Sequence, residues 1–234
     1  MQAYLEWGLK GAETLAVQAD VCVVVDIMSF STCVDIATGC EAVVHPFHFK
    51  SHAAAAAHAN KLGAHLAGRR RDAAARYTLS PPTLTKLNAG DALVLPSPNG
   101  STISAALSGK PTLAGCLRNA HAVANKAAEI AGGGIIAVIP AGERWPDGSL
   151  RPAIEDLVGA GAILSALDAK LSPEAEIAKG AFLHAESQLS ALLHGSVSGQ
   201  ELIQMGFPQD VATAVMFNVS SAAPVLKNGV YAAS

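Results

Sequence analysis

The sequence contains few charged and few aromatic residues. Charged residues make up 15% of its 234 residues and aromatic residues 5%, whereas half are hydrophobic. The formal net charge of -3 reflects no excess of basic residues, so we expect no nucleic-acid partner. No run approaches the ~18 consecutive apolar residues that a membrane-spanning helix needs. The amino terminus also lacks the pattern of a secretory signal. We therefore expect a compact cytoplasmic globular protein with no membrane partner.

Several motifs that define common enzyme sites are also missing. The four cysteines, Cys22, Cys33, Cys40 and Cys116, include no C-x-x-C pair, which disfavours a zinc knuckle or a thioredoxin-type redox centre. The sequence has no H-E-x-x-H motif of zinc hydrolases and no G-x-S-x-G motif of serine hydrolases. It also lacks the G-x-x-x-x-G-K-[ST] loop of nucleotide triphosphatases and the dinucleotide motif G-x-G-x-x-G.

Short β-branched runs alternate with longer alanine-rich stretches that are typical of helices. The predicted strands are 21–25, 41–45 (closed by Pro46), 64–67, 92–95, 112–114 and 135–139, with further strands near Val225 and Val230. The predicted helices are 29–39, 51–62, a short one after the 96–102 loop to about 107, 119–131, 152–167 (with Pro152 first) and most of 173–216, and 141–151 is a predicted polar loop. This alternation predicts an α/β fold, a three-layer α/β/α arrangement with a mostly parallel or mixed sheet. We favour a single domain over residues 1–234, with a helix-rich layer from about residue 170, over two small domains.

Polar clusters follow four of the predicted strands. In open α/β sheets, ligands collect outside the carboxyl ends of the strands. The clusters are Asp26 with Ser29, Ser31 and Thr32; Asn99, Gly100, Ser101 and Thr102; Arg118 and Asn119; and Glu143 and Arg144, continuing to Arg151, Glu155 and Asp156. Each cluster also has a purely structural explanation, because such residues cap helices and form turns.

Taken together, the clusters indicate phosphoryl chemistry. The 99–102 turn joins a strand to a helix, and its backbone N–H groups can cradle an anion. The carboxylates of Asp26, Glu143, Glu155 and Asp156 lack nearby cysteine or histidine ligands, which suits Mg²⁺ better than zinc. We predict that a subset of these four holds Mg²⁺, and that Asp26, Glu143 and Asp156 are catalytic. The guanidinium groups of Arg118, Arg144 and Arg151, together with the serine, threonine and asparagine side chains of the clusters, would bind a small anionic phosphorylated metabolite.

The order of these motifs resembles the 2-phosphosulfolactate phosphatase family. The matching segments are 23–26 with the Ser/Thr-rich helix start, 98–101, 141–144, 151–156, 198–202 and 210–211. The resemblance implies an α/β/α fold and Mg²⁺-dependent hydrolysis of 2-phosphosulfolactate to sulfolactate and phosphate, a step toward coenzyme M. It covers nearly the whole chain, and it places Asp26, Asn99, Gly100, Glu143, Glu155 and Asp156 on matching motif positions.

The sequence departs from that family at two points. Many members carry an arginine just after the strand-end aspartate, where this chain reads Ser29-Phe30-Ser31-Thr32, and Asn218 stands where an acidic residue is common. Because 2-phosphosulfolactate carries three acidic groups, the missing arginine leaves two alternatives open. One is a phosphatase of another small phospho-acid, and the other is a non-catalytic protein that binds an anionic metabolite. The residues also leave open whether water or Asp26 is the nucleophile. The apolar composition further predicts a homo-oligomer, a dimer.

Overall fold

The computed structural model describes residues 1–48, 51–107 and 109–233. The strands in these ranges are β1 Gln2–Leu5, β2 Val21–Val25, β3 Val43–His48, β4 His65–Leu66, β5 Ala92–Ser97, β6 Thr112–Gly115, β7 Ile135–Pro140, β8 Glu143–Arg144, β9 Leu150–Arg151, β10 Lys170–Leu171, β11 Val225–Lys227 and β12 Val230–Ala232. The helices are α1 Gly8–Leu15, α2 Phe30–Gly39, α3 His52–Leu62, α4 Pro81–Leu84, α5 Gly100–Ala106, α6 Ala120–Ala131, α7 Ile154–Ser165, α8 Pro173–Ala185, α9 Leu189–Gly195, α10 Val197–Gln204 and α11 Pro208–Ala214, with a 3₁₀ turn at Glu186–Gln188. None of the described helices is long and apolar enough to cross a bilayer.

Ten of the described strands form one mixed sheet. Their order is β10-β1-β7-β2-β6-β11-β12-β3-β5-β4. Six neighbouring pairs are parallel, and the three pairs that involve β11 or β12 with β6, with each other or with β3 are antiparallel. The remaining strands, β8 and β9, form a separate antiparallel hairpin. The predicted α/β class with a mostly parallel or mixed sheet is confirmed.

The inserted pair β11–β12 divides the sheet into two halves. Three successive antiparallel pairings separate β6 from β3, so β3, β5 and β4 formally run against β2, β6 and β7. Sheet twist of about 20–25° per strand accumulates to roughly 100–125° over the five steps from β2 to β5. A rotation of that size allows the carboxyl ends of strands from the two halves to approach. The end of β5 does meet the end of β2, since the Gly100 N–H lies 2.9 Å from Asp26 Oδ2.

The strand β2 shows why the centre of the sheet reads as a continuous apolar run. Val21, Val23 and Val25 belong to a core cluster that includes residues of α6, α7 and α8. Cys22 and Val24 pack on the opposite face, in a cluster with residues of α1 and α5. Both faces of the strand are therefore covered by helices, as expected for a strand in the middle of three layers.

Four local predictions differ from the structure. Pro46 does not close its strand, because β3 continues to His48 and Pro46 pairs with Leu95. On the side of β3 that faces β12, only Val44 is paired. Proline has no N–H, but no hydrogen bond of the sheet is lost on that side at position 46. The predicted loop 141–151 contains the β8–β9 hairpin. The helix predicted from Pro152 begins two residues later, at Ile154. The helix predicted after the 96–102 loop begins already at Gly100, because the Asn99 carbonyl accepts the first helical hydrogen bond, from the Ile103 N–H.

Candidate active site

The carboxylate of Asp26 is fixed at the end of β2 by two backbone groups. Its Oδ1 atom accepts a hydrogen bond from the Phe30 N–H at 3.1 Å, and its Oδ2 atom accepts one from the Gly100 N–H at 2.9 Å. The Ser31 hydroxyl accepts from the Asp26 N–H at 3.0 Å and donates to the Val24 carbonyl at 3.0 Å. The strand end, the start of α2 and the start of α5 therefore hold this side chain in one orientation.

Gly100 is required by the close approach of α5 to Asp26. A Cβ atom at this position would lie 2.8 Å from Asp26 Oδ2 and would overlap the Phe30 ring. Only a glycine lets the Gly100 N–H reach the carboxylate. In this structure, therefore, an N–H group of the turn that we expected to cradle a phosphate binds the Asp26 carboxylate instead.

Asp156 joins the two loops that follow β2 and β7. Its Oδ1 atom accepts from the Ile27 N–H at 2.8 Å, and its Oδ2 atom accepts from the Gly142 N–H at 2.8 Å. The side chain is 4% exposed. Asp156 therefore sets the position of the backbone on either side of the site, directly after Asp26 and directly before Glu143.

Glu143 and Glu155 complete the acidic cluster. The Asn99 Nδ2 atom donates to Glu143 Oε2 at 3.0 Å, so the side-chain amide of the residue that caps α5 orients this carboxylate. Glu155 is buried in the first turn of α7. Arg151 lies close enough to lower the pKa of both glutamates, although burial raises each pKa overall. Its guanidinium also contacts Glu201 at 3.3 Å.

The four carboxylates oppose one another's ionisation. Burial first, and the charge of Glu143 second, raise the pKa of Asp26 to about 7, against hydrogen bonds from Phe30 and Gly100 and the charge of Arg70. Burial, followed by the charges of Glu155 and Asp26, raises the pKa of Asp156 well above its ordinary value. The cluster therefore holds more potential negative charge than its surroundings neutralise, which favours a cation or proton at this place.

Arg70 is a site residue that the sequence analysis missed. Its Nη2 atom donates to Ser29 Oγ at 2.6 Å, and its Nε atom donates to Asp210 Oδ2 at 2.9 Å. Asp210 is buried and also accepts from the Ser80 hydroxyl. Arg70 thus brings a guanidinium group to Ser29. Ser29 lies in the segment where many family members carry an arginine and this chain does not. The basic run 69–71 was visible in the sequence, but nothing local distinguishes the one member that turns inward.

The structure distributes the other predicted binding residues among three environments. Ser29, Asn99, Gly100 and Arg151 lie at the acidic cluster. The side chains of Ser31, Thr32, Ser101, Thr102 and Asn119 donate hydrogen bonds to backbone carbonyls, and His48 also contacts the Thr102 hydroxyl. Arg118 and Arg144 make their hydrogen bonds elsewhere. Arg118 pairs with Asp35 at 2.8 Å, and Arg144 donates to the Gly148 carbonyl of the hairpin turn at 2.9 Å.

The donor set can be compared with what a magnesium ion requires. Within the described ranges, no three histidine, cysteine, aspartate or glutamate side chains converge as a ready-made metal centre. Mg²⁺ does not need such a centre, because it commonly keeps several waters and uses one or two carboxylates together with substrate phosphate. Each oxygen of Asp26 accepts one hydrogen bond and retains a second lone pair. The buried all-oxygen donors fit a hard cation of this kind.

Fold and site together define an α/β protein with a buried acidic centre where two halves of a mixed sheet meet. The chain belongs to the 2-phosphosulfolactate phosphatase family, whose sequence profile matches residues 10–229. It is also 31% identical over 153 residues to the 2-phosphosulfolactate phosphatase of Methanothermobacter thermautotrophicus. That match covers 65% of this chain and spans 64% of the relative's length.

Proposed function

We propose that this protein hydrolyses the phosphomonoester of a small acidic metabolite at Asp26, with 2-phosphosulfolactate as the first candidate substrate. The observation that carries the proposal is the fixed Asp26 carboxylate, surrounded by three further acidic groups and approached by Arg70. Family membership supports the same reaction class. The overall reaction is R–OPO₃²⁻ + H₂O → R–OH + HPO₄²⁻. The ester P–O bond breaks, a P–O bond to the water oxygen forms, and one proton of that water ends on the alcohol.

Asp26 and Glu143 are the residues that we assign to a Mg²⁺ ion, and the charges of Asp156 and Glu155 add to the same acidic cluster. A bound Mg²⁺ would neutralise charge on the phosphoryl oxygens. Arg70 is placed to bind a phosphoryl oxygen, because its guanidinium lies at Ser29 beside the carboxylate. Asn99 orients Glu143. Asp156 is a positioning residue, since it holds the backbone of both flanking loops rather than facing a reactant.

Release of inorganic phosphate tests this proposal directly. The panel would contain 2-phosphosulfolactate and sulfonate-free phospho-acids, each measured with Mg²⁺ and with EDTA. We expect metal-dependent release by the wild type and a loss of about a hundredfold or more in Asp26→Asn, as when a charged group that stabilises a transition state is removed. The matched control is Asp168→Asn, because Asp168 is exposed and lies outside the acidic cluster.

Two outcomes would contradict the proposal. Normal release by Asp26→Asn would remove Asp26 from the reaction. Stabilisation of the wild type by phospho-acids in a thermal melt, without phosphate release from any of them, would favour the non-catalytic binding protein. If sulfonate-free substrates are hydrolysed faster than 2-phosphosulfolactate, the reaction class stands and the first candidate substrate is wrong.

A further inference from the structure

A groove of about 620 Å³ lies beside Arg70. It lies between the 68–71 segment, the end of β5 and the 205–207 segment that follows α10. Arg70 lines this groove and also donates to Ser29 Oγ, next to Asp26. A ligand whose phosphate is held at Asp26 can therefore extend past Arg70 into the groove.

The walls of this groove combine cationic and apolar groups. Arg70 and Arg71 line it together with Leu79, Met205 and Phe207, and none of its described lining residues is acidic. Guanidinium groups bind carboxylates and sulfonates. Burial of a charged group against the apolar side chains would instead cost free energy. The matching ligand carries an acidic group near the arginines and an apolar group beyond them.

The size of the groove sets a lower limit on that apolar group. A volume of about 620 Å³ falls within the roughly 300–1,000 Å³ of pockets that bury drug-sized molecules. 2-Phosphosulfolactate has a three-carbon skeleton and offers these walls little more than one methylene group. A molecule of that size would leave Met205 and Phe207 in water.

We propose that the preferred substrate is the phosphomonoester of a 2-hydroxy acid with a large apolar side chain. This inference rests on the proposed function, and it replaces 2-phosphosulfolactate as the preferred substrate of the same reaction. The phosphate lies at Asp26 and Arg70, the acid group contacts Arg71, and the side chain packs on Met205 and Phe207. The bonds broken and formed are those of the hydrolysis given above.

The test compares three substrates in the presence of Mg²⁺: 2-phospholactate, 2-phosphosulfolactate and the phosphate ester of phenyllactate. We expect kcat/KM for the phenyllactate ester to exceed that for 2-phospholactate by about tenfold or more, since burial of an aromatic ring is worth at least that factor. We expect Phe207→Ala and Met205→Ala to remove most of this advantage while changing kcat/KM for 2-phospholactate less than about twofold. The control is Met216→Ala, because Met216 is exposed to a similar degree as Met205, 47% against 42%, but lies outside the groove.

The outcomes separate this inference from the function on which it rests. If no substrate releases phosphate, the proposed function fails and the inference fails with it. If phosphate is released but the phenyllactate ester has no advantage over 2-phospholactate, the groove does not select the side chain and the inference alone is wrong. The inference is also overturned if Met205→Ala and Phe207→Ala both behave as Met216→Ala does.

Discussion

Substitution of Gly100 by alanine tests whether the close contact between α5 and Asp26 matters for the reaction. The added Cβ atom would lie 2.8 Å from Asp26 Oδ2 and 2.6 Å from the Cγ atom of Phe30. Phe30 is fully buried, so it cannot move aside freely. Overpacking of this kind costs about 1–3 kcal/mol, or about 2–12 °C in Tm for a domain of this size. The carboxylate must also shift away from the Gly100 N–H, and a displacement of about 1 Å can cost about a hundredfold in rate.

The assay is phosphate release by folded protein, measured together with thermal unfolding. The matched control is Gly39→Ala, because Gly39 ends α2 and a Cβ atom there meets nothing within 4 Å. We expect Gly100→Ala to lose about a hundredfold in kcat while Gly39→Ala stays close to the wild type in both measurements. A Gly100→Ala protein with normal kcat would refute the claim that this contact holds Asp26 in its reactive position.

Three further predictions concern the residues around the site. In EDTA, the raised pKa of Asp26, about 7 against an ordinary 3.8, means that the folded state holds a proton that the unfolded state loses. Its contribution to the free energy of unfolding should therefore decline by up to about 4 kcal/mol as the pH rises from about 4 to 7. Thermal melts should show this decline, and Mg²⁺ should reverse it at about pH 8 by binding the ionised carboxylates. If Mg²⁺ raises the Tm of wild type and of Asp26→Asn equally, the assignment of Mg²⁺ to Asp26 is wrong. Ser31→Ala should lose about 1–3 kcal/mol by urea unfolding, because it removes the hydrogen bonds to the Asp26 N–H and the Val24 carbonyl, with KM unchanged; a raised KM would instead place Ser31 at the substrate. Arg118→Ala should lose about 3–5 kcal/mol, because Asp35 is then left buried without its partner; loss of phosphate release by the folded variant would return Arg118 to the substrate-binding set.

Local sequence patterns were sufficient to predict the strand β2 and the place of Asp26. A continuous β-branched run indicates a strand covered on both faces, and the polar residues that follow it mark its carboxyl end. The start of α2 could be predicted to within one residue for the same reason, because caps depend on neighbouring residues. The stretch predicted as a turn, 99–102, is instead the N-cap and first turn of α5. The single domain, the dimer and the roles of the site residues stay predictions.

The contacts that assemble the site could not be predicted in this way, because they join distant parts of the chain. The hydrogen bond from Ile27 to Asp156 spans 129 residues, and that from Arg70 to Asp210 spans 140. The insertion of β11 and β12 between β6 and β3 is of the same kind, since a strand's sequence does not specify its neighbours. The sequence predicts Asp156 as a catalytic residue and a candidate Mg²⁺ ligand, and only the tertiary structure shows that its side chain also joins two loops.

The location of the metal is the most direct test of the central claim. Crystals of the active protein would be soaked in Mn²⁺, which takes oxygen ligands as Mg²⁺ does and gives an anomalous signal. We predict an anomalous peak within coordination distance of the Asp26 and Glu143 carboxylates, and no such peak in crystals of Asp26→Asn. An enzyme that releases phosphate while its only Mn²⁺ peak lies away from Asp26 would contradict this account.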